Sequence, residues 1–222
     1  MPRSIPYQPV LLRLLHGGSA LLVILALISG FWVYNTYDGR WGSLPLPNLP
    51  DIQDIHGTIA VTFLLLLPLF AFYSFHIGYH RLIQEQSFNP LKQVGKPVWW
   101  IFMHRLANTF MLVAATFAVI TGRMMEEEWL PAGEIDRPWY LAHLVSWLIV
   151  FLSLALHLLL AAKVGGVPLL RSMLQFSRRD RDTPKSWLRG LRKISSSRLF
   201  QWVEIMVMGG IILAFLLPVL PS

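Results

Sequence analysis

Two histidines lie within one long uncharged stretch of the chain. Residues 138–162 contain no Asp, Glu, Lys or Arg, and they include His143 and His157, 14 positions apart. About 20 apolar residues form a helix that crosses a bilayer, so this stretch predicts a membrane span. At about 100° and 1.5 Å per residue, the two imidazoles point within roughly 40° of each other and lie about 21 Å apart along the axis. Ionisable side chains in hydrocarbon usually mark function, so the pair predicts two ligand positions, the alternative being hydrogen bonds to neighbouring helices.

The composition is typical of an integral membrane protein. Of the 222 residues 55% are hydrophobic and 14% charged, and the mean hydropathy is +0.52. The absence of cysteine excludes disulfides, cysteine-ligated iron–sulfur clusters and covalently attached c-type haem. The net charge of +7 is not accompanied by an Arg-rich RNA motif or by zinc-finger spacing. The charge therefore bears on membrane topology, and no nucleic-acid partner is expected.

Five apolar stretches predict five membrane spans. They are residues 10–34, 52–75, 97–122, 138–162 and 199–219. The loop between the third and fourth spans is acidic and is interpreted as a solvated surface, with the docking of a basic partner as the alternative. The segment 163–198 holds ten Lys and Arg residues, which favours binding of anionic lipids. Part of it, residues 167–176, is predicted to form a short amphipathic helix on the membrane surface.

The distribution of positive charge predicts the orientation. With the N-terminus in the cytoplasm, 16 of the 19 Lys and Arg residues fall on the cytoplasmic side. Only Arg40, Arg123 and Arg137 then lie outside. The positive-inside rule therefore predicts a multi-pass protein of the cytoplasmic (inner) membrane, with the N-terminus in the cytoplasm and the C-terminus outside.

This orientation sorts the histidines by depth. The second and fourth spans enter the membrane from the outer side, and His56 and His143 lie near their starts. These two histidines are therefore predicted to form an outer pair. On the inner side His16 is the favoured partner of His157, because His16 lies inside an apolar span and precedes two glycines. Small residues let a flat macrocycle or another helix approach the backbone.

Three other histidines are rivals of His16 at the inner depth. His104 lies one turn inside the third span and is either a ligand or a hydrogen-bond partner for a cofactor propionate or a lipid headgroup. His76 and His80 end the second span and are interpreted as interfacial, in solvated or headgroup roles.

Pairs of imidazoles without thiol or carboxylate ligands are typical of b-type haem. Zinc would need three or four ligands in one cluster, which these spacings do not provide. The sequence therefore predicts two b haems, with four iron ligands: His16, His56, His143 and His157. Arg13 and Arg105 are candidate propionate partners, since Arg binds carboxylates bidentately. Bis-imidazole iron has no open coordination position, so the expected work is electron transfer.

The order and spacing of these histidines resemble those of bacterial di-haem membrane cytochromes b. This group includes bacterial cytochrome b561, the cytochrome b subunit of nickel–iron hydrogenase and the gamma subunit of formate dehydrogenase. Thr121–Gly122 and the segment 163–175 are similar to parts of the gamma subunit, and Ser29–Gly30 closes the first span as Thr121–Gly122 closes the third. The likeness covers roughly residues 10–185. The chain departs from the group at Gly17, where many members have Trp, at His104, and in its fifth span, which is interpreted as a docking helix for another subunit.

The predicted fold class is all-α. Residues 1–163 would form an integral membrane four-helix bundle holding two haems, residues 164–198 a basic cytoplasmic segment, and residues 199–222 a C-terminal transmembrane helix. The resemblance implies electron transfer between an outer donor or partner subunit and the quinone pool, with a quinone site near His16, His104 and Arg105. One alternative is a stand-alone superoxide:quinone oxidoreductase, which the acidic outer loops disfavour because they repel anions. The other is a haem-containing structural or assembly subunit of a larger complex.

Overall fold

The computed structural model describes residues 7–174, 182–184, 187 and 197–217, without the side chains of residues 86, 87, 89 and 90. Most of this part of the chain is helical, and it contains no strand. Its long helices are α1 (Val10–Tyr37), α2 (Ile52–His76), α3 (Pro97–Arg123), α4 (Pro138–Leu174) and α5 (Arg198–Leu216). Two 3₁₀ helices, Tyr79–Arg81 and Glu85–Lys92, connect α2 to α3.

Each of the five long helices is long and apolar enough to cross a membrane. A helix pairs its backbone N–H and C=O groups internally, which a chain in hydrocarbon must do because no water is present to accept or donate. The predicted all-α class and the five predicted spans are therefore confirmed. The last predicted residues of the fifth span, 218 and 219, and most of the basic segment from residue 175 onward lie outside the described residues.

The bundle consists of two helical hairpins. Contact is most extensive between α3 and α4 and next most extensive between α1 and α2, whereas α1 with α4 and α2 with α3 touch much less. Side chains from all four helices therefore line the space between the two hairpins. Helix α5 packs outside this bundle, mainly on α3 and partly on α2.

Helix α4 is interrupted near the end of its membrane span. Gly166 has φ 63° and ψ −168°, a left-handed backbone conformation that favours glycine, and Pro168 follows two residues later. The chain continues as helix from there to Leu174. The predicted short helix after the fourth span is therefore present up to Leu174, and residues 175 and 176 lie outside the described part.

The fifth helix supplies a partner for one histidine that the sequence interpretation placed in a solvated or headgroup role. His76 Nε2 lies 3.0 Å from Glu204 Oε1 on α5. This contact gives His76 a partner on a distant helix, which the local sequence could not show, and its side chain remains 38% exposed. Helix α5 also packs closely on α3, where a Cβ on Gly210 would lie only 2.8 Å from Thr116 Cγ2. His80, by contrast, is exposed.

A carboxylate from beyond α4 holds the start of α1. Asp182 accepts hydrogen bonds from the Val10 N–H at 2.7 Å, from the Tyr7 hydroxyl and from the Trp187 indole N–H. Burial alone would raise the pKa of the Asp182 carboxyl, but these three donors outweigh it and hold the pKa below its usual range. An anion at a helix N-terminus also interacts favourably with the helix dipole, so Asp182 joins the segment after α4 to the first turn of α1.

Candidate functional site

Two pairs of histidines face each other across the interior of the bundle. The ring centroids of His56 on α2 and His143 on α4 are 6.1 Å apart, and those of His16 on α1 and His157 on α4 are also 6.1 Å apart. We call the first the outer pair and the second the inner pair, following the predicted orientation. Each pair joins one hairpin to the other, and α4 contributes a ring to both. The structure thus brings together the four histidines in the two pairs that their depths suggested.

The ring separation is that of two imidazoles sharing one metal. A metal bound at about 2.0 Å by one nitrogen of each ring would place the centroids about 6 Å apart, because each centroid lies about 1 Å behind its nitrogen. Both pairs match this value. His104 lies closer to His157, with 5.1 Å between centroids, which is too short for the same arrangement. Among the described residues, no group of three His, Asp or Glu side chains is placed to hold one metal ion.

Hydrogen bonds orient both rings of the outer pair. The Ser29 hydroxyl donates to the Leu25 carbonyl at 2.8 Å, so at 2.9 Å it accepts from His56 Nδ1. His143 Nδ1 donates to the Ala118 carbonyl at 3.0 Å and lies 3.1 Å from Thr121 Oγ1. With the proton on Nδ1, each ring keeps the lone pair of Nε2 for a metal.

Two glycines leave room for these rings. A Cβ on Gly30 would lie 3.0 Å from His56 Cε1, and a Cβ on Gly122 would lie 3.2 Å from His143 Cε1. Carbon atoms in contact are normally about 3.5–4.0 Å apart, so a larger residue would displace either ring. The Ser29–Gly30 pair of α1 and the Thr121–Gly122 pair of α3 therefore have the same two roles. The hydroxyl contacts Nδ1 of the facing histidine, and the glycine leaves space for its ring.

A cavity of about 920 Å³ surrounds the outer pair. Its volume lies near the upper end of the range of about 300–1,000 Å³ found for organic ligands. All four bundle helices line it, and its walls are mostly apolar. The polar residues of its lining gather at the outer end, where three acidic side chains and one basic one rim it: Asp54, Glu126, Glu127 and Arg123. The size and the apolar walls fit a large planar cofactor such as haem.

A buried network closes the outer end of the bundle beside this cavity. The Asp38 carboxylate is fully buried, accepts the Tyr140 hydroxyl at 2.9 Å and pairs with Arg40 at 2.8 Å. Arg40 also reaches Asp136 at 3.0 Å. Tyr140 lines the cavity one turn before His143 on α4. The network thus joins the end of α1 to the start of α4, which sets the spacing of the hairpins at the level of the outer pair.

The inner pair lies among polar and basic groups. His157 Nδ1 contacts Asn108 Oδ1 at 2.7 Å, and the ring of His104 packs on the other side of His157. Within the described residues, two buried polar atoms at this end have no hydrogen-bond partner, namely His104 Nε2 and Ser19 Oγ, one turn from His16. Orphaned buried polar groups are rare in folded proteins, so this end fits a ligand that carries polar groups of its own.

The two arginines proposed as propionate partners lie at the inner end, and a third arginine lies there as well. The Arg13 guanidinium stacks over the ring of Tyr7 at 5.6 Å, and Arg105 lies on α3 close to His80. Arg81, which the sequence interpretation did not single out, is within electrostatic range of both His16 and His104. It was missed because it lies in the short connection between α2 and α3, at the end of the 3₁₀ helix Tyr79–Arg81, and only the folded chain brings that connection near the inner pair.

Other site residues were also missed. Asn108 is an amide inside an apolar span, which is an unusual position and was an available signal. Trp147 lies between the two α4 histidines in sequence, donates its indole N–H to the Leu27 carbonyl at 3.0 Å, and lines the outer cavity. Gly17 and Gly18 were expected to let a macrocycle or another helix approach the backbone. A Cβ at Gly17 would meet nothing within 4 Å, and one at Gly18 would meet Leu66 of α2. Gly18 therefore serves helix packing.

Comparison with known proteins identifies the family. Neither the curated proteins nor the solved structures contain a significant match to the chain. A sequence model of the family described as prokaryotic cytochrome b561 matches residues 7–176, which is well over half of the chain and includes α1 to α4. The chain therefore belongs to the prokaryotic cytochrome b561 family and is a multi-pass membrane cytochrome that binds haem b and transfers electrons.

Proposed function

We propose that the protein holds two b haems, one between His56 and His143 and one between His16 and His157, and carries electrons across the membrane between them. The observation that carries this proposal is the equal ring separation of 6.1 Å in the two pairs. The two α4 histidines stand 14 residues apart, which corresponds to about 21 Å along a helix and stacks the sites across the bilayer. The four histidines would hold the haems, which when bound would supply one-electron chemistry.

The protein contributes orientation and exclusion of water. The Nδ1–H groups of three histidines are held by neighbouring acceptors on Ser29, Asn108 and the Ala118 carbonyl, which leaves their Nε2 atoms available to bind a metal. Iron held by an imidazole from each helix of a pair would have no coordination position open to a substrate, which favours electron transfer over chemistry at the iron. The mostly apolar walls of the outer cavity would limit the access of water to a haem bound there.

The distribution of charged residues supports the proposed orientation of the bundle in the membrane. Arg13, Arg81 and Arg105 lie at the inner end, whereas the rim of the outer cavity is acidic. The positive-inside rule supports a cytoplasmic inner end and an outer C-terminus, in the cytoplasmic membrane. The basic segment after α4 would then meet anionic lipid headgroups on the cytoplasmic face.

Quinone is the proposed partner of the inner end. His104 Nε2 is buried and has no hydrogen-bond partner among the described residues, and it lies beside His157. A quinone carbonyl can accept from an imidazole N–H, and Arg105 is the next residue on α3. Quinone reduction that is unchanged in His104→Phe, which has no donor, would remove His104 from this proposal.

The partner of the outer end is proposed to be a basic electron donor or partner subunit. Asp54, Glu126 and Glu127 at the cavity rim would attract a cationic surface and repel superoxide, which disfavours the superoxide oxidoreductase. Association with a cationic donor should weaken as salt rises, because screening shortens the range of these charges.

Electron transfer across a sealed membrane tests the proposal. The full-length protein is placed in vesicles that enclose ferricyanide, and an impermeant reductant is added outside. We expect reduction of the enclosed ferricyanide by the parent and its loss in both His143→Ala and His157→Ala, since each variant breaks one of the two sites. If either variant transferred electrons at the parental rate, the two-site route would be wrong.

A further inference from the structure

One side chain holds the imidazole of His157. Asn108 Oδ1 lies 2.7 Å from His157 Nδ1, and Asn108 Nδ2 donates to the Arg81 carbonyl at 3.0 Å. The second bond settles the orientation of the amide, because the NH₂ group must face the carbonyl and the oxygen must face the imidazole. His157 Nδ1 is therefore the donor, and Nε2 keeps its lone pair.

The loop that receives Asn108 is itself fixed to α3. The next residue, Thr109, accepts the Ile83 N–H at 3.0 Å and donates to the Arg105 carbonyl at 2.9 Å. Leu82 and Ile83 are both buried. Two adjacent residues of α3 thus bond the connection at Arg81 and at Ile83, and the Asn108 amide has little freedom to turn away from His157.

The outer ring on α4 is held differently. His143 Nδ1 donates to the backbone carbonyl of Ala118, an acceptor that no side-chain substitution removes. His157 depends on a side chain for the same bond. The α4 histidine of the inner pair is therefore the one whose hydrogen bond the sequence can tune.

We propose that Asn108 is the positioning residue of His157 and sets the reduction potential of the haem at the inner pair through the hydrogen bond to Nδ1. The inference rests on the proposed function, in which His157 is an iron ligand. An acceptor at Nδ1 makes the imidazole a stronger electron donor, which favours ferric iron and lowers the potential. A carboxylate strengthens this effect, and an apolar group removes it.

Two variants of nearly equal size separate tuning from damage. Asn108→Asp and Asn108→Leu are purified as full-length holoprotein, and each haem is titrated by visible absorbance against potential. We expect Asn108→Asp to lower the potential of one haem and Asn108→Leu to raise it, with the other haem unchanged. The low-spin ferric electron paramagnetic resonance signal of the same haem should also shift. Mere disturbance of packing would move both variants in one direction.

Thr116→Val is the matched control, because the buried Thr116 hydroxyl donates to the Leu112 carbonyl on the side of α3 that packs against Gly210 of α5. It should leave both potentials at the parental values. The inference is overturned if the two Asn108 variants keep two haems and shift the potential in the same direction or not at all. Two haems retained in His157→Ala would instead show that His157 is no ligand, which overturns the proposed function itself.

Discussion

The outer and inner pairs have the same ring separation but differently built surroundings. At the outer pair, small residues and the backbone shape the site: two glycines admit the rings, and the Ala118 carbonyl holds His143. At the inner pair, Asn108, His104 and Arg81 surround the rings with polar and charged side chains. The comparison indicates that the outer site is fixed by shape, whereas the inner site is adjustable and suited to a polar partner.

The largest expected effect comes from filling the space that the outer site depends on. Gly30→Val places a side chain 3.0 Å from His56 and 3.3 Å from Trp147, so the His56 ring must move and the outer haem should be lost. Haem content should fall from two to one per chain. Gly17→Ala is the matched control beside the inner pair, since its Cβ meets nothing within 4 Å, and it should keep both haems. Two haems in Gly30→Val would contradict a site fixed by shape.

A smaller effect distinguishes the two rings of the outer pair. Ser29→Ala removes the only acceptor found for His56 Nδ1 in the described structure, and loss of such a ligand-orienting bond typically costs about 10–100-fold in affinity for the bound metal group. Thr121→Val leaves the Ala118 carbonyl for His143, so its haem affinity should change much less. Haem titration of the two apoproteins measures this difference. Equal losses in both variants would show that the backbone acceptor is not what holds His143.

How far the sequence predicts this site depends on whether a feature follows from spacing along one helix or from packing between helices. Positions along one helix follow from 3.6-residue geometry, so the depths of His143 and His157, and the pairing with His56 and His16, were available from spacing and topology. Contacts between helices also depend on how each helix is rotated about its axis. The rotation of α3 brings Asn108 to face His157, and this rotation cannot be deduced from residue spacing within α3.

Contacts from loops were harder still to predict. Arg81 and Asp182 reach their partners only after segments far apart in the chain have packed together, as Asp182 and Val10 have. The turn residues and charges around Arg81 and Asp182 predict a loop, but they do not predict which residues the loop side chains contact. The Ser29–Gly30 and Thr121–Gly122 pairs were visible as a repeated pattern, yet their role became clear only with the rings beside them.

The smallest expected effect concerns the fold at the inner end and depends on pH. Asp182 has a folded-state pKa below the unfolded value of about 3.9, so it stabilises the fold above that pH and loses its contribution as the pH falls through the folded-state pKa. Asp182→Ala removes the acceptor of three hydrogen bonds and should cost about 1–3 kcal/mol at neutral pH. Thermal unfolding of parent and variant at pH 7 and near pH 3 measures this. A stability difference that grew as the pH fell would contradict the assignment.

Haem stoichiometry tests the central claim most directly. A pyridine haemochrome assay on the purified parent, His143→Ala and His157→Ala gives the number of b haems per chain. The two-site account predicts two haems in the parent and one in each variant, with the remaining haem differing in potential between the two variants. One haem in the parent, lost in only one of the variants, would contradict it.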